Sequence, residues 1–277
     1  MKLQESTEID GIQCYAPDLM SEYSDYPNEG FEITEKVEEK SFWVRSRARI
    51  LEREIRKILV NVHASVKFLE IGCGTGFFLR QLTSIKNIEL TGSEIYINPL
   101  KYAKSKGSAV NFIQLNACDI PFESTYNIIG AFDVIEHIDD DVSVIKNVHK
   151  ALVEGGYFIL TVPQYMFMWS YIDDLVKHKR RYSRQDILNK LVTNNFEIIF
   201  VSSFVFTLFP LMLIQRIMDR KPKATINTAS DFKERVDIPN WMNWMFNKIM
   251  KIDEFLIRLG ISLPFGGSLL VVGRKIN

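Results

Sequence analysis

Between residues 67 and 162 the apolar positions fall into short runs, KFLEI (67–71), IELTGS (88–93), NFIQL (111–115), YNIIGAF (126–132) and YFILTV (157–162). Segments with helical spacing separate them, among them FFLRQLTSI, NPLKYAKSK and DVSVIKNVHKALVEGG. Short strands that are apolar on both faces and alternate with helices predict a parallel sheet covered on each side, a doubly wound α/β fold. Ligands of such sheets sit at the carboxyl ends of the strands, near the point where strand order reverses. Upstream, FWVRSRARILEREIRKILVNV places Phe42, Ile50, Ile55, Ile58 and Leu59 on one stripe, which predicts an amphipathic helix starting near Ser41.

The two ends of the chain break this rhythm. Residues 1–40 are polar and aperiodic and read as an arm that either stays mobile or folds over a site. FEIIFVSSFVF (196–206) reads as a sixth strand, yet the last, SLLVVGRK, starts only at Ser268. The intervening segment holds FPLMLIQRIMDR, a polar stretch KPKATINTASDFKERVD that should be mobile, and WMNWMFNKIMKIDEFLIRLG. The predicted organisation is thus an arm (1–40), a sheet domain (41–206 and 263–277) and a helical insertion (207–262). The insertion carries Trp241, Trp244, Met245, Ile249, Ile252, Phe255, Leu256 and Leu259, with Lys248, Lys251 and Arg258 nearby. That pattern suits a lid, a homodimer contact or a helix lying in a membrane surface. Residues 198–214 are uncharged but include serines, Thr207 and Pro210, so a membrane-spanning helix is not expected.

Composition narrows the partners. With 34 basic and 34 acidic side chains, no overall field recruits nucleic acid. Charge is distributed unevenly, however. Residues 1–40 hold eleven Asp or Glu against three Lys, whereas KHKRRYSR (177–184) holds five Lys or Arg. Cys14, Cys73 and Cys118 show neither disulfide nor zinc-knuckle spacing, and the N-terminus has no apolar signal run. Both features predict a cytoplasmic protein, with the inner membrane face as the place for any peripheral contact through 207–262.

The first strand of the alternation ends in EIGCGTGFFL, where Gly72, Gly74 and Gly76 lead straight into a helix. Glycine there allows positive φ and close approach of a ligand to the backbone. Glu94 closes the next strand, 22 positions beyond Gly72, the spacing expected of a ribose-hydroxyl acceptor. The dinucleotide fingerprint needs a third glycine at 77, where this chain has Phe77.

The series resembles the class I S-adenosylmethionine-dependent methyltransferases, which implies a seven-stranded Rossmann-like sheet and S-adenosyl-L-methionine as cofactor, S-adenosyl-L-homocysteine as product. By that resemblance Glu70, Gly72, Gly74 and Gly76 form motif I, Glu94 with Ile95 holds the ribose, and Asn116-Ala-Cys118-Asp119-Ile120-Pro-Phe is similar to the segment that lines the adenine pocket. LVEGGYFILTVP resembles the turn into the fifth strand. Asn116, Asn127 and Glu154 depart from the family pattern at positions assigned no cofactor contact. The likeness is to the ubiquinone and menaquinone biosynthesis enzymes. More narrowly it is to a branch reading "W…GHxRRY", here Trp169 and Lys177-His178-Lys-Arg180-Arg181-Tyr182, found with envelope polysaccharide or lipid-modifying enzymes. It implies methyl transfer, with O-methylation favoured, to a small-molecule, glycan or lipid-linked acceptor.

Two stretches are candidates for the chemistry itself. FDVIEHIDDD (132–141) places Asp133 and His137 at the end of the fourth strand, and His178 lies in the basic segment after the fifth. Either histidine can serve as a base where an acceptor hydroxyl must lose its proton. Equally, His137 can pack the start of the next helix and His178 can be a solvated loop residue. Arg180, Arg181, Tyr182 and Trp169 are candidate acceptor contacts, an Arg fork being suited to phosphate or carboxylate, while the plainer reading has Ser183 cap a helix. Asp133, Glu136 and His137 show the D/E-x-x-E-H spacing with which some related O-methyltransferases hold a divalent cation, giving a metal-assisted alternative. Metal-free relatives share that spacing, and no resident metal is expected. Asp139, Asp140 and Asp141 read as a helix cap. A third reading, from another class, is a cofactor-binding scaffold without turnover.

Overall fold

The computed structural model of the protein describes residues 6–20, 35, 37–60, 62, 64–107, 109–218 and 238–277. Among these, nine strands form one sheet: β1 (Thr7–Ile9), β2 (Ile12–Cys14), β3 (Val66–Ile71), β4 (Ile88–Glu94), β5 (Val110–Gln114), β6 (Tyr126–Phe132), β7 (Leu152–Pro163), β8 (Phe196–Phe204) and β9 (Ser268–Lys275). Their order is β1-β2-β5-β4-β3-β6-β7-β9-β8. The strands from β5 to β7 run parallel, and β9 enters antiparallel between β7 and β8. Strand order reverses at β3, so the carboxyl ends of β3 and β6 flank the crevice where a ligand of this architecture binds.

Two strands more are present than the seven expected, because part of the segment read as an arm is built into the sheet. Thr7–Cys14 is a hairpin whose second strand pairs in parallel with β5 through Gln13 and Cys14. Ile12 and Cys14 are fully buried. The buried Gln114 side chain fixes the chain beyond them, accepting from Ala16 N at 3.0 Å and donating to Ala16 O at 2.8 Å. Three-residue strands leave too little alternation to be read in a sequence. The rest of the arm, 1–5, 21–34 and residue 36, lies outside the described residues, as does the polar stretch 221–237 for which mobility was expected.

Side chains from successive sheet positions enter two cores. On one face Phe68, Ile128, Leu270 and Val272 pack with α1 (Phe42–Leu59), α2 (Phe77–Leu82) and α3 (Ile97–Ser105). On the other, Leu69, Ile129, Leu269 and Val271 pack with α4 (Asp141–Ala151) and α6 (Arg184–Thr193), which follows the short α5 (Tyr171–Leu175). Ser41 caps α1 by accepting from Val44 N, as its position before the apolar stripe predicts.

The insertion contributes α7 (Phe209–Met218) and α8 (Asn240–Arg258). The second of these joins the first core through Phe246, Met250 and Ile257. It is pinned to α1 as well: Glu254 accepts from Arg49 Nε at 2.9 Å and Ser46 Oγ at 2.8 Å, and Asn243 accepts from Phe42 N at 2.7 Å. Buried Asp253 holds the turn into α7, accepting from Phe206 N at 2.6 Å. Trp241, Trp244, Ile252, Phe255 and Leu259, on the outer side of α8, remain exposed. No helix among the described residues is long and apolar enough to cross a membrane.

Candidate active site

The glycine turn follows β3 with φ of +68° at Gly72, +52° at Gly74 and +73° at Gly76, which caps α2. A side chain at Gly72 would meet Val134 Cγ2 at 2.5 Å, so this glycine permits packing against the β6 turn. Among the described residues, nothing beyond its own chain neighbours lies within 4 Å of where a Gly74 Cβ would stand. That open position is bordered by carboxylates. Glu94 accepts from Ile95 N at 2.8 Å and from Gly74 N at 3.4 Å, and Glu70 is buried with Oε2 unpartnered among the described residues. Burial raises the pKa of Glu94, against the backbone N–H groups that favour its charge, and raises that of Glu70 further. An open backbone approach beside acceptors with spare capacity suits a ligand that brings hydroxyl donors and a positive charge.

Residues from before α1 also reach this turn. Thr75 Oγ1 donates to Glu38, Arg80 Nη2 donates to Glu35 at 2.8 Å, and Lys106 Nζ lies 2.7 Å from Glu35. Across the crevice, the 116–120 turn is fixed by Asn116, whose Oδ1 accepts from Cys118 N, and by Asn147, which accepts from Ile120 N at 3.1 Å and donates to Cys118 O at 2.8 Å. Ile120 is buried and Asp119 is exposed on the rim.

The second constellation grows from the end of β6. Asp133 has a φ of +57°, unusual for a residue with a Cβ. It is ion-paired with Arg47 of α1, whose guanidinium also lies over the Trp43 ring, and it accepts from Thr161 Oγ1 at 3.2 Å. A 3-10 turn over Ile135–His137 then brings Glu136 inward and leaves His137 exposed. The His137 and His178 rings meet edge to face, 4.7 Å between centroids. Burial and then the Asp133 charge raise the Glu136 pKa well above the carboxylate range. The protein surrounding His137, and then His178, hold its pKa down to about 4, although one side of the residue meets solvent.

Residues 69–160 match a family described as a methyltransferase domain. That stretch of the chain is a methyltransferase domain. An O-methyltransferase of Aspergillus nomiae, rstn1, is 30% identical over 113 residues, 38% of this chain and 50% of its own length. The ubiquinone biosynthesis O-methyltransferase of Pseudomonas aeruginosa is 29% identical over 104 residues, 35% of this chain and 44% of its own. The chain thus spans about half, or less, of the curated relatives it matches. Its fold is similar to that of Haemonchus contortus phosphoethanolamine N-methyltransferase 2, solved with S-adenosyl-L-methionine, at a TM-score of 0.59 and 18% identity over 94% of this chain and 60% of that one.

The methyltransferase domain gathers Asp133, Glu136, His137 and His178 at one edge, while the basic segment takes a form the sequence did not suggest. Arg181 is buried, its Nε donating to Asp173 at 2.7 Å and its Nη1 to Gln164 O at 3.2 Å. Tyr182 is fully buried and donates to Asp141 at 2.7 Å. These partners engage the polar groups with which either residue was expected to hold an acceptor. Arg180 lies 3.1 Å from Asp141 and donates to Asp139 O, and Trp169 donates to Asp174 at 3.0 Å. Ser183 caps α6, as the plainer reading had it. Asp140 caps α4, whereas Asp141 accepts from Lys190 as well as Tyr182 and so ties α4 to α6.

Arg47, Asn147 and Asp173 were missed. Nothing in α1 separates Arg47 from the arginines beside it. Asp173 did leave a signal, since Ser170-x-x-Asp173 is a capping box, and the structure shows both of its hydrogen bonds.

Proposed function

We propose that this protein transfers a methyl group from S-adenosyl-L-methionine to an oxygen atom of an apolar or lipid-linked acceptor. The observation that carries the reading is the open backbone at Gly74 between Glu70 and Glu94, in a glycine turn that packs through Gly72 against Val134, beside the carboxylate and histidine cluster after β6. When bound, the cofactor supplies an electrophilic methyl on a sulfonium, and leaves as S-adenosyl-L-homocysteine. Glu94 would orient its ribose, Glu70 would face its charge, and the 116–120 turn would meet its adenine. An acceptor oxygen that takes this methyl group would give up its proton to solvent by way of His137 or His178. Much of the acceleration in such a displacement comes from alignment, so rigid walls matter as much as a base. Oxygen as the accepting atom is supported by the O-methyltransferases among its relatives. An apolar acceptor is supported by a ring cluster in which Tyr165 stacks on Phe167 and meets Phe209, which in turn meets Phe265.

Calorimetric titration with S-adenosyl-L-methionine should give one equivalent per chain, and methyl-labelled cofactor with lipid extracts should yield labelled product. Absence of cofactor binding would sink the reading, and binding without transfer to any extract would favour a scaffold.

The insertion supports a peripheral membrane role in the same reading. Trp241 and Trp244 are 66% and 64% exposed, with Lys248 and Lys251 on the outer side of the helix beside them. Amphipathic rings with nearby cations suit the headgroup layer of an anionic bilayer. Phosphatidylglycerol vesicles should therefore sediment the protein, and Trp241→Ser with Trp244→Ser should weaken this by about tenfold or more. Equal partitioning of both proteins would remove the membrane role.

A further inference from the structure

We infer that Glu136, His137 and His178 form a binding site for one divalent transition-metal ion, Zn2+ being the best match. Each residue offers one ligand atom, and these atoms lie within 4.8 Å of one another. The edge of a tetrahedral site with bonds of about 2.1 Å is roughly 3.4 Å, so modest side-chain closure completes it.

Glu136 points to a ligand independently of this proximity. It is 0% exposed and neither carboxylate oxygen has a hydrogen-bond partner among the described residues. The nearest cationic candidate, His178 Nε2, is 3.8 Å away, beyond hydrogen-bond reach. A buried carboxylate without a partner is costly, and a coordinated cation removes that cost.

His178 is also oriented as a metal ligand would be. Its Nδ1 lies 2.9 Å from Asp173 Oδ1, which places the proton on Nδ1 and leaves the Nε2 lone pair on the side of Glu136. Asp173 is itself fixed by Arg181 Nε and by Ser170 N at 2.9 Å. The buried Arg181 is thereby a positioning residue, acting through Asp173. His137 rests against the backbone of Lys177 and Val176 and is exposed, so the cluster opens to solvent.

The ligand set differs from the D-x-x-E-H spacing of the sequence and departs from the expectation of no metal. Asp133 is engaged by Arg47 and Thr161, and His178 takes its place from 45 positions downstream. Two imidazoles and one carboxylate favour zinc, manganese or iron over magnesium or calcium, which prefer oxygen donors. Three protein ligands leave a position for a hydroxyl oxygen, whose proton, with the ion bound, leaves directly to solvent because both imidazoles are then committed to the metal and neither serves as the base. That last role rests on the methyl-transfer reading, whereas the ion site does not.

The full chain, stripped with a chelator, should bind one Zn2+ per chain in a calorimetric titration with the metal alone. Glu136→Gln and His178→Gln should each lower the affinity by about 100-fold, while Asp133→Asn should leave it unchanged. Should a variant fold poorly by circular dichroism, Co2+ loaded into the wild-type protein decides: paramagnetically shifted signals from two imidazole rings support the site, and fewer overturn it. No stoichiometric Zn2+ binding, or binding that survives in the Glu136→Gln/His178→Gln double variant, also overturns it. Titration with S-adenosyl-L-methionine alone keeps the two readings apart. Lost cofactor binding with zinc retained defeats only methyl transfer, and the reverse defeats only the ion site.

Discussion

Glu94→Ala should weaken S-adenosyl-L-methionine binding by about 100-fold. The carboxylate stands at the end of β4, where the N–H groups of Ile95 and Gly74 hold it in place. Those bonds leave acceptor capacity for the two ribose hydroxyls. Hydrogen bonds to a charged acceptor contribute about 1.5–3 kcal/mol each, so loss of both costs about 3 kcal/mol or more. Each 1.4 kcal/mol is a factor of about ten in affinity. Glu94→Gln keeps the shape and one acceptor atom, and should fall between the variant and the wild type. The sign of the pH dependence follows from burial, which raises the Glu94 pKa above its usual value. The ionised form is the acceptor, so affinity falls on acidification, and begins to fall at a higher pH than an exposed glutamate would dictate. Calorimetry at several pH values measures both effects, and a titration unaffected by Glu94→Ala would place the cofactor elsewhere.

The sheet domain was legible because burial on both faces leaves a plain signature. Five apolar runs became β3 to β7 within a few residues, the long exception being β7, which starts at Leu152 rather than Tyr157. Glycines were legible for a related reason, since three positive φ values in one turn leave few other residues possible. The hairpin at Thr7–Cys14 was not, because its stability derives from a tertiary contact with β5 and from Gln114, a hundred positions away.

The chemistry was half legible for the same physical reason. FDVIEHIDDD identified an edge, and local spacing grouped Asp133 with Glu136 and His137. Only the fold shows that Arg47 takes Asp133 and that His178 stands beside Glu136 instead. The charged run KHKRRYSR read as a clamp for an acceptor, yet its Arg181 and Tyr182 are buried and bonded to Asp173 and Asp141. A charge pattern cannot reveal burial when the partner carboxylates come from other elements.

Asp173→Ala should be the most destabilising of these substitutions, by about 3–5 kcal/mol, because it strands a buried guanidinium. Asp173 and Arg181 are 1% and 7% exposed, and their 2.7 Å contact is joined by His178 on the same carboxylate oxygen. Although burial opposes ionisation, hydrogen bonds from His178 and Arg181 hold Asp173 well below the usual carboxylate range. A depressed carboxylate contributes stability that is fully present above its unfolded value, about 3.9, and that is lost as pH falls from there toward the folded value. The stability difference between wild type and variant should therefore be constant near neutrality and shrink below about pH 4. Denaturant melts across that range measure it. Asp173→Asn separates the causes, since an amide keeps an acceptor for His178 but cannot balance the Arg181 charge. If it restores zinc affinity without restoring stability, geometry at His178 and charge at Arg181 are distinct duties of one carboxylate. A stability loss below 1 kcal/mol in Asp173→Ala would mean that solvent or another acid, rather than Asp173, satisfies Arg181.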